Sequence, residues 1–171
     1  EDIEGKRCVV SGSGNVASYS IEKLQQLGAV VVACSDSNGS ILDPEGIDLD
    51  TVKMLKEVER QRISEYVKIR SRAEYREGLN VWDIPCELAL PCATQNELDG
   101  EDAGKLVRNG CRLISEGANM PCTPEALEVF RSEGVLYGPG KAANAGGVAV
   151  SALEMQQNAG WESWTFEEVD A

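Results

Sequence analysis

Histidine is missing from all 171 residues of this chain. That absence excludes Ser-His-Asp hydrolysis, imidazole acid–base chemistry and His-ligated zinc from anything the chain does alone. No Cys-x-x-Cys pair occurs, and Cys8, Cys34, Cys86, Cys92, Cys111 and Cys122 are scattered, three of them in apolar or strand-like stretches. They read as buried free thiols of a reducing, cytoplasmic compartment. No hydrophobic run approaches a membrane span and no signal-peptide pattern opens the chain, so no membrane association is expected. Basic residues are in short supply, 16 against 29 acidic, for a formal net charge of −13. A surface of that sign repels DNA, RNA and anionic lipid at long range. Hydrophobic residues supply 42% of the chain, enough for one good core. The opening Asp2-Ile3-Glu4-Gly5 reads as a linker, and the acidic stretch from Trp161 to Ala171 stops without a helix end. Residues 1–171 are therefore expected to form a single domain within a longer polypeptide.

Against this background Gly12-Ser13-Gly14-Asn15-Val16-Ala17 stands out for what flanks it. Arg7–Ser11 before it is apolar and β-branched enough for a buried parallel strand. After it Ala17, Ile21, Leu24 and Leu27 recur at helical spacing, and Gly28 follows at a C-cap position. Strand, glycine turn and helix open a dinucleotide-binding unit. In such a unit Gly12 permits the tight turn and Gly14 lets backbone approach a diphosphate, while Ala17 replaces the third glycine at the close helix–strand contact. A dinucleotide would itself be repelled by the net charge, so its phosphates must be held by local N–H groups at the helix start.

Further along, Ala29–Ser35 reads as a strand ending at Asp36, followed by turns at Ser37–Ser40 and Asp43–Gly46. A charged helix is expected from about Asp50 to Ile69, and Ser71–Pro85 is irregular with one short strand. Strands follow at Glu87–Leu90, Cys111–Ser115 and Val135–Tyr137. They alternate with helices at Asp102–Asn109, from the N-cap Thr123 with Pro124 at N1, and from Asn144 to about Asn158. This order predicts an α/β fold, a doubly wound, mainly parallel sheet covered on both faces. Ligands of such sheets sit beyond the carboxyl ends of the strands, here the loops Ser11–Val16, Ser35–Gly39, Pro91–Asn96, Glu116–Met120 and Gly138–Gly147. Asp36 occupies the place of the acid that meets the adenosine ribose and by the general rule signals NAD. Arg60 and Arg62 are expected on the following helix, either reaching a phosphate or forming a solvated face. Asn144 suits either a helix cap or a nicotinamide contact, and Ser151 lies one turn beyond Gly147.

The segments Ser11–Ala17, Ser35-Asp36-Ser37, Pro91–Glu97, Glu116–Pro121 and Gly140–Val148 occur together in this order. In them the chain resembles, over nearly its whole length, the coenzyme-binding domain of glutamate dehydrogenases, in particular the hexameric NADP-dependent kind. The resemblance implies that Ser13, Asn15 and Val16 line the diphosphate with Gly12 and Gly14, and that Asp36 and Ser37 meet the adenosine ribose. It further implies that Ala93, Thr94 and Gln95 contact the cofactor, that Asn119 and Asn144 address the nicotinamide end, and that Ser151 helps hold the side-chain carboxylate of glutamate. NADP-dependent members carry an acid at the Asp36 position with basic residues nearby, and Arg62 is the best match for one, ahead of Arg60. The cofactor implied is NADP, with NAD possible. The reaction implied is deamination of L-glutamate to 2-oxoglutarate and ammonia, or its reverse, by a homo-hexamer. The family's catalytic lysine and aspartate belong to a domain absent here, so the segment is expected to bind cofactor without turnover and to hold no catalytic residue or metal. Rival readings are the cofactor domain of a leucine, phenylalanine or valine dehydrogenase, and a non-catalytic nucleotide-binding module.

Overall fold

The computed structural model of the chain describes residues 2–170. Strands Arg7–Val10 (β1), Val30–Asp36 (β2), Gly39–Leu42 (β3), Glu74–Glu77 (β4), Leu88–Leu90 (β5), Leu113–Ser115 (β6) and Leu136–Gly138 (β7) join in one sheet. Its order is β4-β3-β2-β1-β5-β6-β7. Four pairings are parallel, β1 with β2 and with β5, then β5–β6 and β6–β7. The two outer pairings, β2–β3 and β3–β4, are antiparallel. From β1 the chain moves first to one side of the sheet and later returns to the other, so the crevice of a switch point opens at the carboxyl end of β1.

Side chains of β1 alternate between two cores, as a strand covered on both faces requires. Cys8 and Val10 pack with Ala17, Ile21 and Leu24 of helix Asn15–Gln26 (α1) and with Val52 and Leu55. Val9 faces the other way, among Ala103, Leu106, Ala126, Phe130 and the fully buried Trp82. Helices Leu49–Lys53 (α2) and Tyr66–Ile69 (α3) belong to the first layer, Gly100–Arg108 (α4) and Pro124–Ser132 (α5) to the second. Gly28, just past the end of α1, takes the left-handed conformation with φ +82° that its spacing predicts. Helices Gly140–Ala143 (α6), Ala145–Gly160 (α7) and Phe166–Asp170 (α8) follow. None among the described residues is long and apolar enough to cross a membrane.

Three expectations need correction. The Ser37–Ser40 turn is tighter than expected: Asp36 pairs with Gly39, and β3 begins there as the return strand of a hairpin. Asp36 Oδ1 accepts the Asn38 N–H at 2.8 Å, closing the turn locally. The long helix over Asp50–Ile69 is broken: a π-turn occupies Met54–Val58, Arg60 is left-handed at φ 53°, and a 3-10 turn spans Ile63–Glu65. The break has a cause in Asp36, whose Oδ2 accepts the Ile63 N–H at 3.4 Å and restarts the chain against the end of β2. The last helix runs unbroken close to its expected bounds, but Asn144 at its start makes no side-chain cap.

All six cysteines are free and buried. Burial pushes the Cys8 and Cys34 thiols up to about 12, with Glu87 and Asp36 respectively adding repulsion, and Cys92 up to about 11. Only Cys111 shifts down, through a hydrogen bond from the Cys86 thiol, and it too is enclosed. A disulfide reagent at pH 8 should therefore titrate less than about one thiol per native chain in minutes, since the thiolate is the nucleophile. All six should react once the chain is denatured.

Candidate nucleotide-binding site

The cleft lies where β1 ends. Gly12 has φ +87°, a conformation only glycine adopts freely, and a Cβ there would lie 3.3 Å from Ala93 Cα and Cβ. The Gly12 N–H donates to Ser35 Oγ at 2.9 Å, fastening the first loop to the end of β2. Gly14 is different. Its backbone is extended, at φ −91° and ψ −170°, and a Cβ there would meet nothing within 4 Å. The fold has no steric need for glycine at 14, and the open space on that side is the cleft.

The start of α1 is electrostatically bare. No side chain caps it and no acidic residue lies in its first turn. At α4 Asp99 accepts the Asp102 N–H, and at α5 Thr123 accepts the Ala126 N–H, with acids in both first turns. Helix N-termini carry unpaired N–H groups and about half a positive charge, normally answered by caps and carboxylates. α1 alone of these three directs that charge at a cavity, the arrangement that anion binding at a helix start requires.

That cavity has a volume of about 810 Å³, toward the upper end of the roughly 300–1,000 Å³ usual for ligand sites. It runs from the first loop past Asp36 and Ser37 to Lys56 and Arg62. Asp36 is committed to the fold, for its side chain is 5% exposed and lies 3.8 Å from the Arg62 guanidinium. Arg62 donates to Ser37 Oγ at 2.8 Å and remains 55% exposed. It therefore stands at the cleft rim, outside any regular helix, and Arg60 is not part of the lining.

Gly12, Ser13, Gly14, Asn15, Val16, Asp36, Ser37, Arg62, Ala93 and Thr94 are thus brought together around one cavity. Gln95, Asn119, Asn144 and Ser151 do not line it. Asn119 and Asn144 instead meet each other: Asn144 Nδ2 donates to Asn119 Oδ1 at 3.0 Å and also to the carbonyls of Gly117 and Ala118. The Glu116–Met120 loop adjoins the β5 loop through the backbone, where Gly117 and Ala118 N–H both reach the Pro91 carbonyl and Asn96 N–H reaches that of Met120. Glu116, buried, ties the sixth and seventh strand ends by accepting the Gly140 N–H at 2.8 Å. Ser151 lies exposed on α7, none of whose residues is buried.

Residues that spacing did not single out also border the cleft: Lys56, Gly78, Leu79, Asn80, Trp82 and Glu97. Most arrive with β4 and the loop after it, a tertiary placement that no local period encodes. Glu97 stood within a recognised motif, and its polar partners were the missing information. Gly117 has a reason of its own, since a Cβ would fall 2.5 Å from Cys92 Sγ and 3.1 Å from Val16 Cγ1.

With this geometry in view, the family model for glutamate/leucine/phenylalanine/valine dehydrogenase matches residues 1–171. The chain belongs to that family. It is 58% identical over 172 residues to a glutamate dehydrogenase of Bacteroides thetaiotaomicron, covering 99% of this chain and 38% of the relative. An NADP-specific glutamate dehydrogenase of Helicobacter pylori is 54% identical over 176 residues, covering 99% and 39%. Among solved structures, Plasmodium falciparum glutamate dehydrogenase superposes with a TM-score of 0.92 at 48% identity, covering 99% of this chain and 37% of that one. The chain thus spans under two fifths of the length of these relatives.

Proposed function

We propose that this chain is the cofactor-binding part of a glutamate dehydrogenase. The complete enzyme oxidatively deaminates L-glutamate to 2-oxoglutarate and ammonia with NADP, or runs the reverse. The bare α1 terminus opening on a large cleft is the observation that carries the binding reading. Relatives named NADP-specific glutamate dehydrogenases support the substrate and the cofactor. Amides at the start of α1 hold the diphosphate, Asp36 and Ser37 border the adenosine ribose, and Arg62 with Lys56 supplies positive charge for a 2′-phosphate. Gln95 contacts the cofactor beside Ala93 and Thr94, Asn119 and Asn144 belong to the nicotinamide end, and Ser151 to the glutamate side. When bound, the nicotinamide supplies the hydride acceptor.

Hydride transfer requires two carbons held in contact and shielded from water. Here no residue of α7 is buried, and the second wall of the reaction site belongs to the rest of the enzyme, which assembles as a hexamer. A relative from Xylanibacter ruminicola is named NAD(P)-specific, so NAD is an acceptable second cofactor. A leucine, phenylalanine or valine substrate is less well supported, because relatives at 50–58% identity are named for glutamate. Calorimetric titration of NADPH and NADH into the 171-residue chain should give saturable one-to-one binding, tighter for NADPH. Glutamate added with NADP should produce no absorbance at 340 nm. Turnover by this chain alone, or no binding of either cofactor, would refute the proposal.

A further inference from the structure

We propose that Glu97 is a positioning residue that clamps the loop after β5 to the loop after β1 and thereby selects which amides meet the cofactor. The role rests on the nucleotide-binding reading above. Glu97 Oε1 accepts from Ser11 Oγ at 2.9 Å, from Ala93 N–H at 3.0 Å and from Thr94 N–H at 3.4 Å. The Ser11 hydroxyl in turn accepts the Cys92 N–H at 2.8 Å. One carboxylate oxygen thus holds three consecutive amides of the β5 loop, two directly and one through Ser11. Ser11 is 2% exposed and precedes Gly12, so the clamp ends at the glycine turn itself.

The consequence concerns donors. Exposed loops beside a cleft could offer a second cradle for phosphate at Ala93 and Thr94, whose backbone lies at the same cavity. Glu97 removes those N–H groups from competition by bonding them inside the protein. The bare start of α1 is left as the anion site, and the β5 loop meets the ligand in one fixed position. Burial raises the Glu97 carboxyl and disfavours its charge, while the Ala93, Ser11 and Thr94 donors pull it back. A carboxylate kept in a cleft against desolvation is placed as functional groups are.

The test compares two probes by calorimetry, NADPH and adenosine 2′,5′-bisphosphate, which lacks the diphosphate bridge and the nicotinamide. Glu97→Ala should weaken NADPH by roughly tenfold or more, the scale of charge-assisted hydrogen bonds. It should leave the bisphosphate within about twofold, because on this reading its two phosphates are held by the α1 amides and by Arg62, without the β5 loop. Glu97→Gln retains the Oε1 acceptor and should return NADPH to within about threefold of wild type. If Glu97→Ala fails to fold, Ser11→Ala removes one arm of the clamp and should weaken NADPH by roughly threefold with the bisphosphate unmoved. Unchanged NADPH affinity, equal loss of both probes, or no recovery in Glu97→Gln would each overturn the role. A wild-type chain binding neither probe would instead overturn the nucleotide-binding reading beneath it.

Discussion

Gly14→Val should abolish NADPH binding while leaving the chain folded. The separation of the two effects follows from the backbone. Gly14 is extended, its Cβ position is open, and it lies at the N-cap of α1. Replacing glycine by valine at an N-cap costs about 1 kcal/mol of helix stability, which a chain with two well-filled cores withstands. The same side chain would occupy the approach of a diphosphate to the α1 amides. We expect at least a roughly 100-fold loss of affinity, about 2.7 kcal/mol. Calorimetry reads the affinity, and thermal unfolding by circular dichroism reads the fold. Gly12 offers the contrast, since its φ of +87° and its 3.3 Å clearance from Ala93 make any side chain there a fault of folding. Retained affinity in Gly14→Val would remove this loop from the site.

The second large effect concerns the phosphate that distinguishes NADP from NAD. Arg62→Ala should weaken NADPH by roughly 10- to 100-fold, the range for hydrogen bonds to charged groups of about 1.5–3 kcal/mol. NADH should change by less than about threefold, because it has no 2′-phosphate for the guanidinium to meet. The structure explains how an acid at position 36 is compatible with this preference. Both Asp36 oxygens are occupied by backbone N–H groups, of Asn38 and Ile63, and Arg62 lies 3.8 Å away. Asp36 shapes the turn and positions the arginine, so its charge is answered before a phosphate arrives. Arg62 is half exposed, and added salt should narrow the difference between the cofactors. Equal losses for NADPH and NADH would contradict the assignment.

Legibility of the chain followed the range of the information. Cys8, Val9 and Val10 read as a buried parallel strand and are one, because a strand covered on both faces needs only apolar residues. α1 and its glycine ending were equally plain, as was the Thr123-Pro124 start of α5, where cap chemistry is local. The stretch over Asp50–Ile69 misled because its apolar spacing suits a helix throughout. What breaks it is a carboxylate at the far end of β2, remote in sequence. The site divided in the same way. Gly12–Val16 and Asp36-Ser37 were visible as motif, whereas Asn80 and Trp82 reach the cleft from the loop after the antiparallel β4, and Lys56 from the π-turn that breaks the expected helix. The resemblance assigns Asn119 and Asn144 to the nicotinamide end; their mutual hydrogen bond of 3.0 Å is a tertiary contact that no local spacing announces.

A crystal structure of this chain with NADPH would test the central claim most directly. The account predicts diphosphate oxygens within about 2.7–3.2 Å of amide nitrogens between Ser13 and Val16, with Lys56 and Arg62 engaged at the 2′-phosphate. A diphosphate held by side-chain cations or lodged elsewhere, with the turn at Gly12–Asn15 bare, would contradict it.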